Sequence, residues 1–202
     1  MLEYAINYPD KLGTALIEHM EIVVITLLVS FVVASILTIL CVYSRVLSKM
    51  FLYTFSVIYS IPSLALFALL IPLTGLGQIT AIIVLVIYNQ YLLLRNFMTG
   101  LNEVYPAITE AAVGIGMNHM QVLFKIKLPL SMKAIFTGVR LATVSTIGIA
   151  TIAATINAGG LGSILFDGLR TVNTVKILWG GLLAAFLAVC SNALLSSIER
   201  RI

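Results

Sequence analysis

The sequence predicts an all-α membrane protein of about five transmembrane helices, and three observations carry that prediction. The chain of 202 residues is 60% hydrophobic and only 10% charged, with a mean hydropathy of +1.10. That is more apolar than a soluble domain of this length can bury. Charge-free apolar runs long enough to cross a bilayer recur along it. Lysine and arginine gather in alternate connections between those runs, as cytoplasmic loops of membrane proteins require.

A crossing needs about 20 apolar residues. Runs of that order extend over Ile22 to Ser44, Met50 to Leu94, Leu141 to Phe166 and Ile177 to Ile198. The second is too long for one crossing and is interrupted by Pro72, Gly75, Gly77 and Gln78, so it divides into helices of about Met50–Ile71 and Ile79–Phe97. The spans are therefore expected at about 22–44, 50–71, 79–97, 134–157 and 177–198. No polar stretch is long enough to build a separate water-soluble core, so one membrane domain over 1–202, without a fused ATPase or receptor domain, is expected.

Orientation follows from the cations. Arg45 and Lys49 follow the first span, Arg95, Lys125, Lys127, Lys133 and Arg140 lie around the connection between the third and fourth, and Arg200 and Arg201 follow the fifth. These nine are expected to face the cytoplasm, against Lys11, Arg170 and Lys176 on the other side, which puts the N-terminus outside and the C-terminus inside. The net charge of +4 is thus a topology signal and no nucleic-acid surface. Glu3, Asp10, Glu18 and Glu21 precede the first apolar run, unlike the basic start of a cleavable signal, so that run is expected to be a permanent anchor.

Between the fourth and fifth spans, Leu161, Ile164, Leu165, Gly168 and Leu169 recur at helical spacing against Asp167 and Arg170, predicting a short interfacial helix. Trp179 fits an aromatic anchor at the start of the last span. Cys41 and Cys190 lie in apolar runs and read as small hydrophobes.

The connection from Asn102 to Met132 is long for a protein of otherwise short turns. Pro106 suits a first helical turn, and Gly116 can supply the left-handed residue that stops that helix. Asn118 with Gln121 resembles a capping box, so a second short helix is expected through Val122 and Phe124 until Pro129 ends it. Within this loop Glu110, Ala111, Ala112, Gly116, Ile126, Leu128 and Pro129 fit the spacing E-A-A-x3-G-x9-I-x-L-P.

That spacing resembles the EAA loop of permease subunits of binding-protein-dependent type I ABC importers. Ile61-Pro62-Ser63-Leu64-Ala65, Leu94-Arg95-Asn96 and Thr143 through Gly162 extend the resemblance, which is nearest to the osmoprotectant permeases for glycine betaine, carnitine and choline. Permeases for ergothioneine and other trimethylammonium compounds are similar. The resemblance implies that the loop docks as a coupling helix on an ATP-binding subunit, through the seven residues of the spacing. Small Ala111 and Ala112 would allow close approach, and Glu110 would offer a carboxylate to a basic partner or to the loop's own backbone. Val113 departs from the basic residue common there in the family.

The implied partners are a second copy or a sister permease, two cytoplasmic ATP-binding subunits, an extracellular or lipid-anchored substrate-binding protein, and membrane lipid. No cofactor is expected on this chain, ATP and magnesium being used by the partner ATPase.

Asn89 and Gln90 fall near the middle of the third span, where an unpartnered amide would cost several kcal/mol, so they face protein or water. They serve either the translocation pathway or hydrogen bonding between helices. Gly148, Thr151 and Thr155, with Thr146 nearer the inner half of the fourth span, suit either close helix packing or a pathway lining. Tyr59, Tyr88 and Tyr91 have the chemistry of an ammonium cage, but the family implies that tight recognition sits on the separate binding protein.

Gly159, Gly160 and Gly162 lack the Lys-Ser or Lys-Thr of a phosphate loop and read as an outer turn or gate. His19 and His119 are expected in different compartments, and no convergent catalytic group is visible, so no enzyme is expected. A self-sufficient ion-coupled carrier would call for charged residues within the spans.

Overall fold

The computed structural model describes residues 2–201, which are helical with no strand among them. Helix α1 (Leu2–Asn7) leads into α2 (Pro9–Cys41), a helix of 33 residues whose first turn accommodates Pro9 without losing a bond. At 1.5 Å per residue it is about 50 Å long. It begins well before Ile22, the expected start of the first span, because its early turns have a dry face of their own. Ala15 packs there with Leu161, Ile164 and Ala184, while Lys11, Glu18 and Glu21 stay at least partly exposed.

Ser44 caps α3 (Arg45–Ser60) by accepting from the Leu47 N–H at 3.3 Å. The chain then turns by 100° into α4 (Ser63–Thr74). The single straight helix expected over 50–71 is therefore two. Pro62 supplies no N–H and pushes Ile61 to extended backbone (φ −70°, ψ 133°). The Ile61 carbonyl released by this break accepts the Tyr88 hydroxyl. Pro72 sits inside α4, and the reversal falls at Gly75 and Gly77, whose φ values of 80° and 113° suit glycine alone.

Helix α5 (Gln78–Glu103) is the central element, buried along most of one face and packed on α2, α3, α4 and the later helix Met132–Ile152. Two short helices, α6 (Pro106–Gly114) and α7 (His119–Val122), a π turn over Leu123–Lys127 and the single turn α8 (Leu128–Leu130) lead into α9 (Met132–Ile152). A 3₁₀ turn, Ala153–Ile156, ends at Asn157 in the left-handed region (φ 61°). The expected interfacial segment is α10 (Leu161–Arg170), with Leu161, Gly162, Ile164 and Gly168 buried. Asn173 caps α11 (Thr174–Glu199).

Four helices (α2, α5, α9 with its 3₁₀ turn, and α11) are long and apolar enough to cross a membrane, and the bent pair α3 and α4 makes a fifth if it is one crossing. Lipid removes the hydrophobic drive between helices, so close packing and polar contacts must hold them together. The α5–α9 contact has that character. A Cβ on Gly100 would fall 2.6 Å from the Ala134 Cβ, and one on Gly138 would fall 2.8 Å from the Asn96 Cβ. At one end α9 is tied to α11 by Arg140 and Thr137, which meet the Glu199 carboxylate at 3.5 and 2.8 Å. By contrast α3 buries no residue and α11 only Gly180 and Ala184, leaving broad apolar faces for lipid or another chain.

Candidate functional site

The end of the bundle that carries α6 and α7 is largely exposed. Of the nine residues of α6 only Ala112 is buried. Glu110 and Ala111 are exposed, as are Ile108, Val113 and Ile115, the last of these 82% exposed. Among the described residues the Glu110 carboxylate has no hydrogen-bond or ion-pair partner. Gly116 turns the chain with φ 90°, and the Met117 N–H closes on the Ala112 carbonyl at 3.1 Å. Asn118 and Gln121 form the expected capping box, each side chain bonding the other's N–H at 2.9 Å.

Pro129 does not end the second helix as the sequence suggested. It lacks a donor and its ring crowds the carbonyl one turn back, and the chain accommodates both demands by widening at Leu123–Lys127. There the Leu128 N–H reaches the Leu123 carbonyl, five residues back. Ser131 re-forms the ladder, bonding the Lys127 and Leu128 carbonyls through its N–H and donating its hydroxyl to Lys127 at 2.6 Å. Ile126 and Leu128 are half-buried, and Pro129 is exposed. Tyr43, from the elbow between α2 and α3, donates its hydroxyl to the His119 carbonyl at 2.5 Å, tying the first long helix to α7.

Inside the bundle α2, α5 and α9 share a polar cluster. The Asn89 amide donates to Thr146 at 2.8 Å and to Ser30 at 3.3 Å, and it accepts from Thr146 at 3.2 Å. Gln90 donates to the Val86 and Ser30 carbonyls at 2.9 and 3.4 Å. Both amides are 2% exposed, within the chain's own interior. Such bonds fix register where apolar packing alone cannot. Asn89→Ala is expected to cost about 1–2 kcal/mol by leaving Thr146 and Ser30 without their partner. A thermal melt of the purified variant that matches wild type would deny the cluster that role.

At the opposite end Gly159 and Gly160, with φ values of 83° and 75°, bring the chain back over α2. The Gly160 N–H donates to the Glu18 carboxylate at 2.9 Å, and a Cβ there would strike His19, which is fully buried. Gly162 opens α10 in contact with the Thr151 carbonyl. On the open face of α9, Gly148 and Thr155 are exposed and Thr151 is half-buried. Next to it, Lys176 donates to Asp167 at 2.7 Å, and this hydrogen bond holds the Asp167 carboxyl below the usual carboxylate range.

The chain matches, over residues 30–202, the family described as the binding-protein-dependent transport system inner membrane component. It belongs to that family. The osmoprotectant import permease protein OsmW of Salmonella typhimurium LT2 is 30% identical across 98% of this chain and 94% of its own length. The carnitine transport permease protein OpuCB of Listeria monocytogenes is 37% identical across 73% of this chain and 67% of its own. The ergothioneine transport permease/ergothioneine binding protein EgtU of Helicobacter pylori G27 is 38% identical across 70% of this chain, which spans only 26% of that longer protein. The fold is that of a crystal structure of an amino acid ABC transporter (TM-score 0.83, 17% identity, covering 98% of this chain and 96% of that one). It is also that of the MetNI methionine ABC transporter (TM-score 0.76, 19% identity, covering 93% and 96%). This permease is accordingly a multi-pass membrane component of a transporter and not an enzyme.

In the permease the residues of the Glu110-to-Pro129 spacing share one end, while Asn89, Gln90 and Thr146 lie in the interior, apart from the open face of Gly148, Thr151 and Thr155. Tyr59, Tyr88 and Tyr91 do come together, but their rings pack on one another at 5.1 to 5.5 Å. Sequence reasoning missed Tyr43, Glu18, Ser30 and His19. A helical spacing of polar residues along α2 (His19, Thr26, Ser30, Thr38) was the legible signal for two of them. Nothing local marks Tyr43, whose partner is 76 residues away.

Proposed function

We propose that this permease, with a second copy or a sister permease, forms the membrane path of an ATP-driven importer for quaternary-ammonium osmoprotectants such as glycine betaine, carnitine or choline. An external binding protein delivers substrate, and two cytoplasmic ATPases, using ATP and magnesium, drive the cycle. The N-terminus is external and the C-terminus cytoplasmic in this reading, supported by the siting of nine of the 12 lysines and arginines.

The geometric observation that carries it is α6, a helix with one buried residue, an apolar exposed face and an unpartnered Glu110 carboxylate. A short helix in that condition needs a complementary surface, and the ATPase supplies one. Nucleotide-driven movement of that surface shifts the permease between two arrangements. Gly148, Thr151 and Thr155 line the path, and Gly159, Gly160 and Gly162 form the outer turn that gates it. Asn89, Gln90 and Thr146 act on it through the packing of α2, α5 and α9. The substrate class rests on the near full-length similarity to OsmW, beside choline and carnitine permeases at 32% and 37% identity.

A second reading, import of ergothioneine or another trimethylammonium compound, is favoured by the 38% identity to EgtU. The test is ATP-dependent uptake of radiolabelled glycine betaine into vesicles carrying the permease with its co-purifying partners, with carnitine, choline and ergothioneine as competitors. Uptake that needs ATP and is displaced best by carnitine or choline supports the first reading, and displacement by ergothioneine alone supports the second. Uptake that follows an ion gradient without ATP overturns both.

A further inference from the structure

A cavity of about 670 Å³ opens between the end of α9 and the outward face of α10, and its lining has an unusual chemical balance. Thr155, Asn157, Ser163, Phe166 and Arg170 contribute to it, and none of its lining residues is acidic. Arg170 forms a loose ion pair with Asp167, Nη2 to Oδ1 at 3.7 Å and beyond hydrogen-bonding distance, while Lys176 donates to the other oxygen, Oδ2, at 2.7 Å. The guanidinium, 80% exposed, therefore keeps its donors unspent. Asn157, held in the left-handed conformation, likewise makes no side-chain hydrogen bond among the described residues. The Thr155 and Ser163 hydroxyls are spent on the Ile152 and Gly160 carbonyls at 2.8 and 2.7 Å. Two groups with unused hydrogen-bond donors suited to a carboxylate thus line a cavity whose own lining has none, the Asp167 carboxylate standing outside it.

The aromatic ring completes the set. Phe166 stands one helical turn before Arg170 on α10, a separation of about 6 Å between neighbouring positions on one face. From neighbouring positions the long Phe and Arg side chains can converge on the two charged ends of one short zwitterion, which lie closer together than the Cβ atoms. We propose that this cavity is a transit subsite for the carboxylate-bearing substrates, with Arg170 and Asn157 taking the carboxylate and the Phe166 face taking the trimethylammonium group. The inference rests on the substrate class given under Proposed function, and it adds what that class alone does not: betaine and carnitine are distinguished here from choline, which has a hydroxyl in place of the carboxylate. Open to solvent, the site holds its ligand weakly, as a conducting path requires.

The test compares Arg170→Gln, Phe166→Leu and wild type in the complete transporter, reading ATP-dependent uptake of glycine betaine, carnitine and choline separately. Membrane level and basal ATPase activity of each variant confirm assembly. Arg170→Gln is expected to lower glycine betaine and carnitine uptake about 10-fold relative to choline. Phe166→Leu is expected to weaken all three. An equal loss for the three substrates in Arg170→Gln would instead mark Arg170 as a contact for the binding protein and overturn the subsite, as would no loss at all. A wild-type transporter that carries none of the three overturns the substrate class itself, an outcome separate from failure of the subsite.

Discussion

Replacing Glu110 with lysine is expected to abolish ATP-driven uptake while leaving the permease folded and in the membrane. The carboxylate is exposed and makes no hydrogen bond or ion pair among the described residues that the substitution could break. α6 itself would retain its N-terminal Pro106 and the Gly116 turn. What changes is the charge presented to the partner, and a cation set against a basic acceptor costs affinity through repulsion and desolvation together. The measurement is a pair of readings on one preparation, ATP hydrolysis and substrate uptake, beside a Glu110→Gln variant. Glutamine keeps the shape and the hydrogen-bonding oxygen, so partial uptake is expected there. If Glu110→Lys transports at the wild-type rate, α6 is not the docking element.

A second large effect is expected from Gly162→Val, on assembly instead of coupling. Even a methyl group on Gly162 would lie 1.9 Å from the Thr151 carbonyl oxygen and 2.8 Å from the Ala154 Cβ. Backbone cannot rotate away as a side chain can, so α10 must leave the end of α9. That displacement disturbs two further close approaches, at Gly168 and Gly180, where an added Cβ would fall 2.7 Å from the Ile177 and Leu165 backbone nitrogens respectively. Overpacking in a dense interior costs about 1–3 kcal/mol, and backbone clashes of this size lie at or above that range. The variant should melt well below wild type in detergent and yield less complex. Gly13→Ala is the control, since nothing lies within 4 Å of a Cβ there and α2 would gain helix propensity. Equal melting of Gly162→Val and wild type would mean that α9 and α10 do not meet as described.

The long helices were legible from hydropathy because a bilayer imposes one demand on every residue of a span. Breaks and margins were less so. Pro62 stood in plain view in the run Ile61-Pro62-Ser63, yet proline is tolerated in membrane helices whenever neighbours satisfy the freed carbonyl. Its effect depended on Tyr88, 27 positions beyond Ile61, offering that residue's carbonyl a hydroxyl. The early turns of α2 were concealed by Glu18 and Glu21, since a window average cannot separate a helix that is polar on one side from a polar tail. Pro129 misled for a related reason. Local rules treat proline as a stop, and the π turn that makes room for it is set by the register of α8 and α9.

That widened turn bears on how force crosses the molecule. From His119 to Ile156 the backbone is helical almost without interruption, the one irregular joint being Ser131. This helical path leads from beside Glu110 to the turn whose Gly160 N–H meets Glu18. No slack loop lies between its two ends to absorb a displacement, so a movement imposed beside Glu110 is expected to be felt at the glycine turn. In the proposed cycle, opening at one surface and closing at the other would then be two readings of a single lever's angle.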